Sequence, residues 1–189
     1  MWADQILCAK NDTRIGINNH MRELLGREGE PQEGDKVICL RNYWDTLDSD
    51  GNPLINGTIG TLSNNYSRTL SYPRFINGGG SFGVINTDII TETNTRFKDL
   101  VMDKELILEG KKSLDQKVEW RLMKSEQFSW MVPKEFTYGY AVTVHKFQGS
   151  SAGNILVFEE NFPFSKEEHQ RWLYTACTRA ENKLVIVKK

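Results

Sequence analysis

The sequence predicts an α/β protein: a parallel sheet built from the two ends of the chain, with a β-rich insertion between them. Three observations predict it. Short apolar runs occur near both termini, "QILCA" (Gln5 to Ala9), "YGYAVTV" (Tyr138 to Val144), "NILVF" (Asn154 to Phe158) and "KLVIV" (Lys183 to Val187), the length of strands buried on both faces. Helical patterns accompany the first and last of these runs. From about Glu33 to Pro133 the pattern changes to short strands separated by "DSDGNP", "NG" and "INGGGSFG", which are turn signals.

In chain order, the first strand leads into "RIGINNHMRELLG", where Ile17, Met21, Leu24 and Leu25 fall at helical spacing and Gly26 is placed to end the helix. The insertion follows with the strand candidates "DKVICLRN", "TIGTL" and "SFGVINTDIITE", and the triple glycine at Gly78 to Gly80 predicts a long hairpin. "KEEHQRWLYTACTRAENK" reads as a helix running into the last strand, opened by a capping box in which Ser165 precedes Glu168 by three residues. These boundaries assign residues 1–32 and 133–189 to a discontinuous α/β domain and 33–132 to the insertion.

Bulk properties narrow the function. With 189 residues, 39% hydrophobic, the chain can bury a core. Its 24 basic and 25 acidic residues leave a formal charge of -1, so any polyanion site must be local. Cys8, Cys39 and Cys177 are odd in number and lack CxxC spacing, which argues against a disulfide framework and a structural zinc site and favours a reducing, cytoplasmic compartment. No run approaches the roughly 18 apolar residues of a membrane span, and no metal site or membrane partner is expected.

Two segments carry the chemistry. "TVHKFQGS", Thr143 to Ser150, stands at the C-terminal end of a predicted strand, where ligands gather in open parallel sheets. Strand alternation would turn Thr143 and His145 to one side, toward a phosphate-bearing strand, with Lys146 adding charge. Gly149 and Ser150 would let backbone N–H groups approach a second anion. The alternative is an ordinary solvated loop. In "RWLYTACTRAENKLVIV", Trp172, Leu173, Ala176, Cys177 and Ala180 make one apolar helix face, with Arg179 at its margin and Thr175 one turn earlier. The alternative there is a surface arginine on an amphipathic helix.

In this order and about 25 residues apart, "TVHKFQGS" and "YTACTRA" resemble motifs V and VI of superfamily 1 helicases of the RecD and Dda type, which move 5′ to 3′ on single-stranded DNA. "ILCAKNDTRIGINNHMREL" resembles the opening of that family's second motor domain. "GDKVICLRNYWD" with "GNPLINGTIGTL" resembles the start of its inserted barrel. The resemblance implies a RecA-like parallel sheet with helices on both faces, interrupted by a Src-homology-3-like barrel. It also implies the C-terminal half of an ATP-dependent DNA helicase or of a RecD-like exodeoxyribonuclease subunit.

On this reading Arg179 is the arginine finger and Gln148, Gly149 and Ser150 complete the ATP site, while Thr143, His145 and Lys146, with Asn11 and Thr13, contact DNA. Arg14 reads equally as a second cleft arginine or as a surface residue. The partners implied are single-stranded DNA and a missing N-terminal RecA-like domain of the same polypeptide. The cofactors, ATP and Mg2+, belong to the complete protein. No phosphate loop of the form GxxxxGK[ST] occurs; "EGKKSL" (Glu109 to Leu114) lacks the upstream glycine. The chain alone is therefore expected to bind no nucleotide tightly and to lack ATPase activity.

Other readings bear on the same residues. Tyr43, Trp44, Tyr66, Tyr72, Phe75 and Phe82 in the insertion either stack on bases or fill the barrel core. His20 and His169 read as exposed helix residues. A His145–Cys177 thiol dyad is the enzyme alternative, set against Cys177 lying on an apolar face, where a thiol is inert. A non-catalytic nucleic-acid or protein-binding module derived from a helicase is the binding alternative.

Overall fold

The computed structural model describes residues 2–161 and 165–188. The chain opens with β1 (Gln5–Cys8) and α1 (Asn11–Leu24). It continues through β2 (Lys36–Cys39), β3 (Tyr43–Leu47), β4 (Pro53–Leu54), β5 (Ile59–Tyr72), β6 (Gly80–Thr91) and β7 (Arg96–Asp103). Then come α2 (Lys104–Glu109), α3 (Gln116–Met123), a 3-10 turn (Ser129–Met131) and β8 (Phe136–Tyr138). The last part holds β9 (Ala141–Thr143), β10 (Ala152–Glu159), α4 (Lys166–Cys177) and β11 (Ala180–Lys188). Contacts divide it into one unit of residues 1–26 and 139–189 and a second of residues 27–138.

The first unit is the expected α/β fold: a parallel sheet in the order β11-β10-β1-β9, with α1 and α4 as its helices. β1 pairs with β9 and β10 and its four residues are all buried, which is why "QILC" carries no polar alternation. The apolar run from Tyr138 to Val144, expected as one strand, serves two sheets. Tyr138 pairs with Val37 of β2, whereas Ala141 pairs with Ile6 of β1. A buried run looks the same in sequence whichever sheet receives it, so the division at Gly139 was invisible. The unit boundaries accordingly fall at 26/27 and 138/139 rather than at 32/33 and 132/133.

α1 departs from its expected face. The residues it buries are Asn18 and Arg22, and Leu24 and Leu25 are exposed. Asn18 explains the exchange: its Nδ2 donates to the Ala141 carbonyl at 3.0 Å and its Oδ1 accepts from the Ala141 N–H at 2.9 Å. β9 is the sheet edge, and this amide supplies the donor and acceptor that a further strand would have offered. On the opposite flank the buried Gln5 amide donates to the carbonyls of Gly139 and Tyr140, both at 3.1 Å. A three-residue strand is thus held by side chains as much as by its ladder.

α4 has the predicted capping box: Ser165 accepts from the Glu168 N–H, and the Glu168 carboxylate accepts from the Ser165 N–H. It stops at Cys177, shorter than expected, and the chain re-enters the sheet at Ala180. β11 differs from expectation in burial, since Leu184, Val185, Ile186 and Val187 are each roughly 40% exposed.

The second unit is antiparallel, in the order β7-β6-β5-β2-β8, with β3 and β4 as a separate ribbon. Its sheet ends approach each other, because Met102 of β7 bridges Lys134 just before β8, giving a barrel-like closure. The expected hairpin is β5 with β6, paired from Gly60–Thr91 to Tyr72–Gly80. Asn77, Gly78 and Gly79 turn it through positive φ. Residues 96–123 hold what the sequence reading lacked: β7, α2 and α3. Leu114, Val118 and Leu122 pack with Leu70, Phe82 and Val84 of the hairpin. Gly110, part of "EGKKSL", is a left-handed C-cap of α2, a structural role for that glycine. Of the insertion's aromatics, Phe82 is buried, Tyr43 and Tyr72 are half-buried, and Trp44, Tyr66 and Phe75 are exposed.

Candidate functional site

β9 ends at Thr143, and Val144 to Gly149 form a compact turn. The turn is tightened from within: the N–H groups of Lys146 and Phe147 donate to Thr143 O, Gln148 N–H to His145 O and Ser150 N–H to Phe147 O. Val144 and Phe147 are buried and anchor it. Gly149 has φ +89°, a conformation that side-chain-bearing residues rarely adopt, which accounts for a glycine at that step.

This geometry revises two details of the strand-end picture. Because the strand stops at Thr143, alternation does not carry through to His145: Thr143 is buried, whereas His145, Lys146, Gln148 and Gly149 are exposed. The Ser150 N–H expected to face an anion is turned onto Phe147 O instead, at 3.1 Å.

Arg179 lies in the turn between α4 and β11, beyond the helix rather than on it. Its Nε donates to Thr175 O at 3.2 Å and its Nη2 to Thr178 Oγ1 at 3.1 Å, so the guanidinium sits at the negative end of α4 against one carbonyl of its last turn. Its Nη1 lies 3.5 Å from Ser150 O, and its own carbonyl accepts from Ala152 N–H at 3.0 Å. The cause is register: β10 pairs with β11 so that Ala152 faces Ala180. The two motifs, separated in sequence, become neighbours through that pairing. Apart from that contact, a hollow of about 270 Å³ lies between the turn and α4, lined by His145 and Gln148 of the turn and by Glu168, Arg171, Trp172 and Thr175 of α4.

The start of α1 is arranged differently. Asn11 is exposed, but Thr13 donates its hydroxyl to Glu160, whose other carboxylate oxygen accepts from the N–H groups of Ala9 (2.9 Å) and Lys10 (3.1 Å). A carboxylate thus occupies the positive end of α1, next to the hydroxyl expected to meet a phosphate. Burial pushes the Glu160 carboxyl up, and these three hydrogen bonds outweigh it, leaving its pKa below the ordinary value. Arg14 is half-buried, and desolvation lowers its pKa.

Sequence reasoning missed Glu160, Asn18 and Gln5 because each acts on a partner more than 120 residues away. His169 is not freely exposed: its Nε2 lies 2.8 Å from Glu159 and its ring packs on Trp172. Burial and the Glu159 charge push the Cys177 thiol up, the opposite of activation, and burial pushes Cys8 up to about 12. Among the described residues no group of three His, Cys, Asp or Glu side chains could hold a metal ion, and no helix is long and apolar enough to cross a membrane.

The parallel sheet in the order β11-β10-β1-β9, with α1 and α4 as its helices, matches the RecA-like helicase fold. Residues 138–187 match the model of the UvrD-like helicase C-terminal domain. Comparison with curated proteins gives no match. Among solved structures, the Pif1 helicase from Candida albicans is similar at TM-score 0.53 and 12% identity, over 99% of this chain and 45% of that one. The Bacteroides Pif1 helicase in complex with ADP-AlF3 and ssDNA is similar at TM-score 0.51 and 14% identity, over 96% of this chain and 39% of that one. At these identities the likeness is one of fold. The chain spans less than half the length of either helicase.

Proposed function

We propose that the chain acts as the second motor domain of an ATP-dependent, 5′ to 3′ superfamily 1 DNA helicase of the RecD and Dda type, with the antiparallel unit as its Src-homology-3-like insertion. The observation carrying this reading is the β10–β11 register, which brings Arg179 beside Ser150 and so joins the two motifs into one surface. Arg179 is the arginine finger for the γ-phosphate, and Gln148, Gly149 and Ser150 complete the nucleotide site from this side of a cleft. His145 and Lys146 contact the backbone of single-stranded DNA from the exposed part of the same turn, and Thr143 fixes the turn's start. Asn11 remains an outlying contact, whereas Thr13 would first have to release Glu160.

The residues fit a nucleotide: Arg179 rests on neutral carbonyls and a hydroxyl, contacts that phosphate oxygens readily replace. Mg2+ has no carboxylate cluster here among the described residues, so its ligands belong with the phosphate loop of a partner motor domain. The test is Arg179→Ala in the protein that unites this chain with such a domain. Steady-state ATP turnover is expected to fall by roughly 10³ to 10⁵ with nucleotide affinity nearly unchanged. Turnover within about threefold of the parent would remove Arg179 from catalysis. In the same protein, His145→Ala is expected to weaken single-strand binding, and an unchanged Kd removes His145 from the DNA contact.

A further inference from the structure

The antiparallel unit holds a second candidate site, independent of the motor reading. A hollow of about 420 Å³ lies between the start of β3, the end of α3 and the segment before β8. A neighbouring hollow of about 400 Å³ shares Arg41, Glu119 and Met123 with it, so the two form one groove. Its apolar side chains face water: Trp44 is 69% exposed, Trp120 60% and Met123 55%. Large exposed apolar side chains gathered along a concavity are the composition of an interface centre, where Trp, Tyr, Met and Arg are enriched.

The polar groups of the groove are already set in place. Tyr43 accepts from the Glu135 N–H at 2.7 Å through its hydroxyl, which locks the ring. Arg41 binds Glu119 and Glu135 at 2.8 Å each, and Lys112 pairs with the same two carboxylates. Two cations therefore neutralise two anions. Lys134 stands outside this network of four. Its backbone is pinned to β7 through Val101 O and Asp103 N, and its ammonium lies 4.5 Å from the centroid of the Tyr43 ring. Among the described residues no carboxylate comes within ion-pair distance of it. Burial pulls its pKa down and the charge of Asp45 partly restores it, the state of an ammonium short of a counter-ion.

We propose that this groove binds a peptide segment of a partner protein, one that seats an aromatic or large apolar side chain against Trp44 and Met123 and sets a single carboxylate on Lys134. A polyanion fits less well. A nucleic-acid strand would have to run past Asp45 and Glu119, which line the groove, with only one cation uncommitted. A peptide with one acid among apolar residues meets one positive point on an aromatic floor. Rigid anchors lower the ordering cost of such binding.

The test selects peptides from a displayed library of random 12-residue sequences against the 189-residue chain, then synthesises those recovered and measures their Kd. Expected are sequences pairing an aromatic or large apolar residue with Asp or Glu, with Trp44→Ala and Lys134→Gln each weakening binding by at least about tenfold. Tyr66→Ala, on the hairpin outside the groove, is expected to leave affinity unchanged. Thermal unfolding of each variant at the parent temperature excludes a folding effect. The proposal is overturned if no such pairing is enriched or if the recovered peptides ignore Trp44→Ala. It is equally overturned if a thymidine oligonucleotide displaces them in a Trp44-dependent way, which would make the groove a nucleic-acid surface.

Discussion

α1 and α4 belong to the same parallel unit but are specified in different ways. α4 carries its own start signal, the Ser165–Glu168 box, and buries Trp172 and Ala176 as its apolar pattern predicts. α1 has no side-chain cap of its own, since Lys10 occupies that position, and its N-terminus is served by Glu160 from the end of β10. Its inward face is Asn18 and Arg22, while Leu24 and Leu25 look outward. One helix is encoded locally and the other by partners far along the chain. The difference teaches that helical periodicity reports which face an apolar core would want, and a strand edge that needs hydrogen bonds can override it.

Four substitutions sharpen this contrast, each read as the loss of stability in denaturant unfolding of the chain followed by circular dichroism. Trp172→Ala removes the buried anchor of α4 and is expected to cost about 3–5 kcal/mol. Asn18→Leu keeps apolar bulk on α1 but orphans the Ala141 N–H and C=O, with an expected loss on the order of 2–3 kcal/mol. A loss below about 0.5 kcal/mol there would mean that α1 is held by Ile17 and Met21 after all. Glu160→Gln removes the charge at the start of α1 and is expected to cost about 1–2 kcal/mol. Ser165→Ala is the smallest, about 1 kcal/mol, because it removes one local cap and leaves the Trp172 packing intact.

The Glu160 effect depends on pH in a fixed direction. Its folded pKa lies below the ordinary carboxyl value of 4.5, so the stabilisation is fully present above that value and is lost as pH falls below it through the folded pKa. The gap between the parent and Glu160→Gln should therefore narrow on acidification. Ser165→Ala carries no charge and should differ from the parent by a constant amount over the same range. Two parallel curves for Glu160→Gln and parent would remove the carboxylate from the cap.

What could be read beforehand follows the same division. "TVHKFQGS" and "YTACTRA" stood out because each packs polar and charged residue types into one short string, and the left-handed backbone at Gly149 accounts for the glycine in the first. "DSDGNP" was legible as a turn because Asp48 bonds its own near neighbours, accepting from the N–H groups of Asp50 and Asn52. β7 and α2 were not. "RFKDLVMD" passes into "KELILE" with no glycine or proline between, and Asp103 is both the last strand residue and the N-cap of α2. The adjacency of Arg179 and Ser150 was likewise hidden, since it depends on which strand stands next to β10.

The exposed apolar side chains of β11 have a consequence for how the chain behaves in bulk solution. Leu184 to Val187 form an aliphatic tract on the outermost strand of the parallel sheet, the kind of edge on which further strands can nucleate. Lys183 and Lys188 bracket the tract with like charge, a gatekeeping arrangement that makes stacking of identical copies electrostatically costly. That protection is coulombic and therefore screened: raising ionic strength from 0.01 M to 1 M shrinks the Debye length from about 30 Å to about 3 Å. Concentrated chain should therefore be colloidally more stable in dilute buffer than in salt, with light scattering rising as the lysines lose their reach.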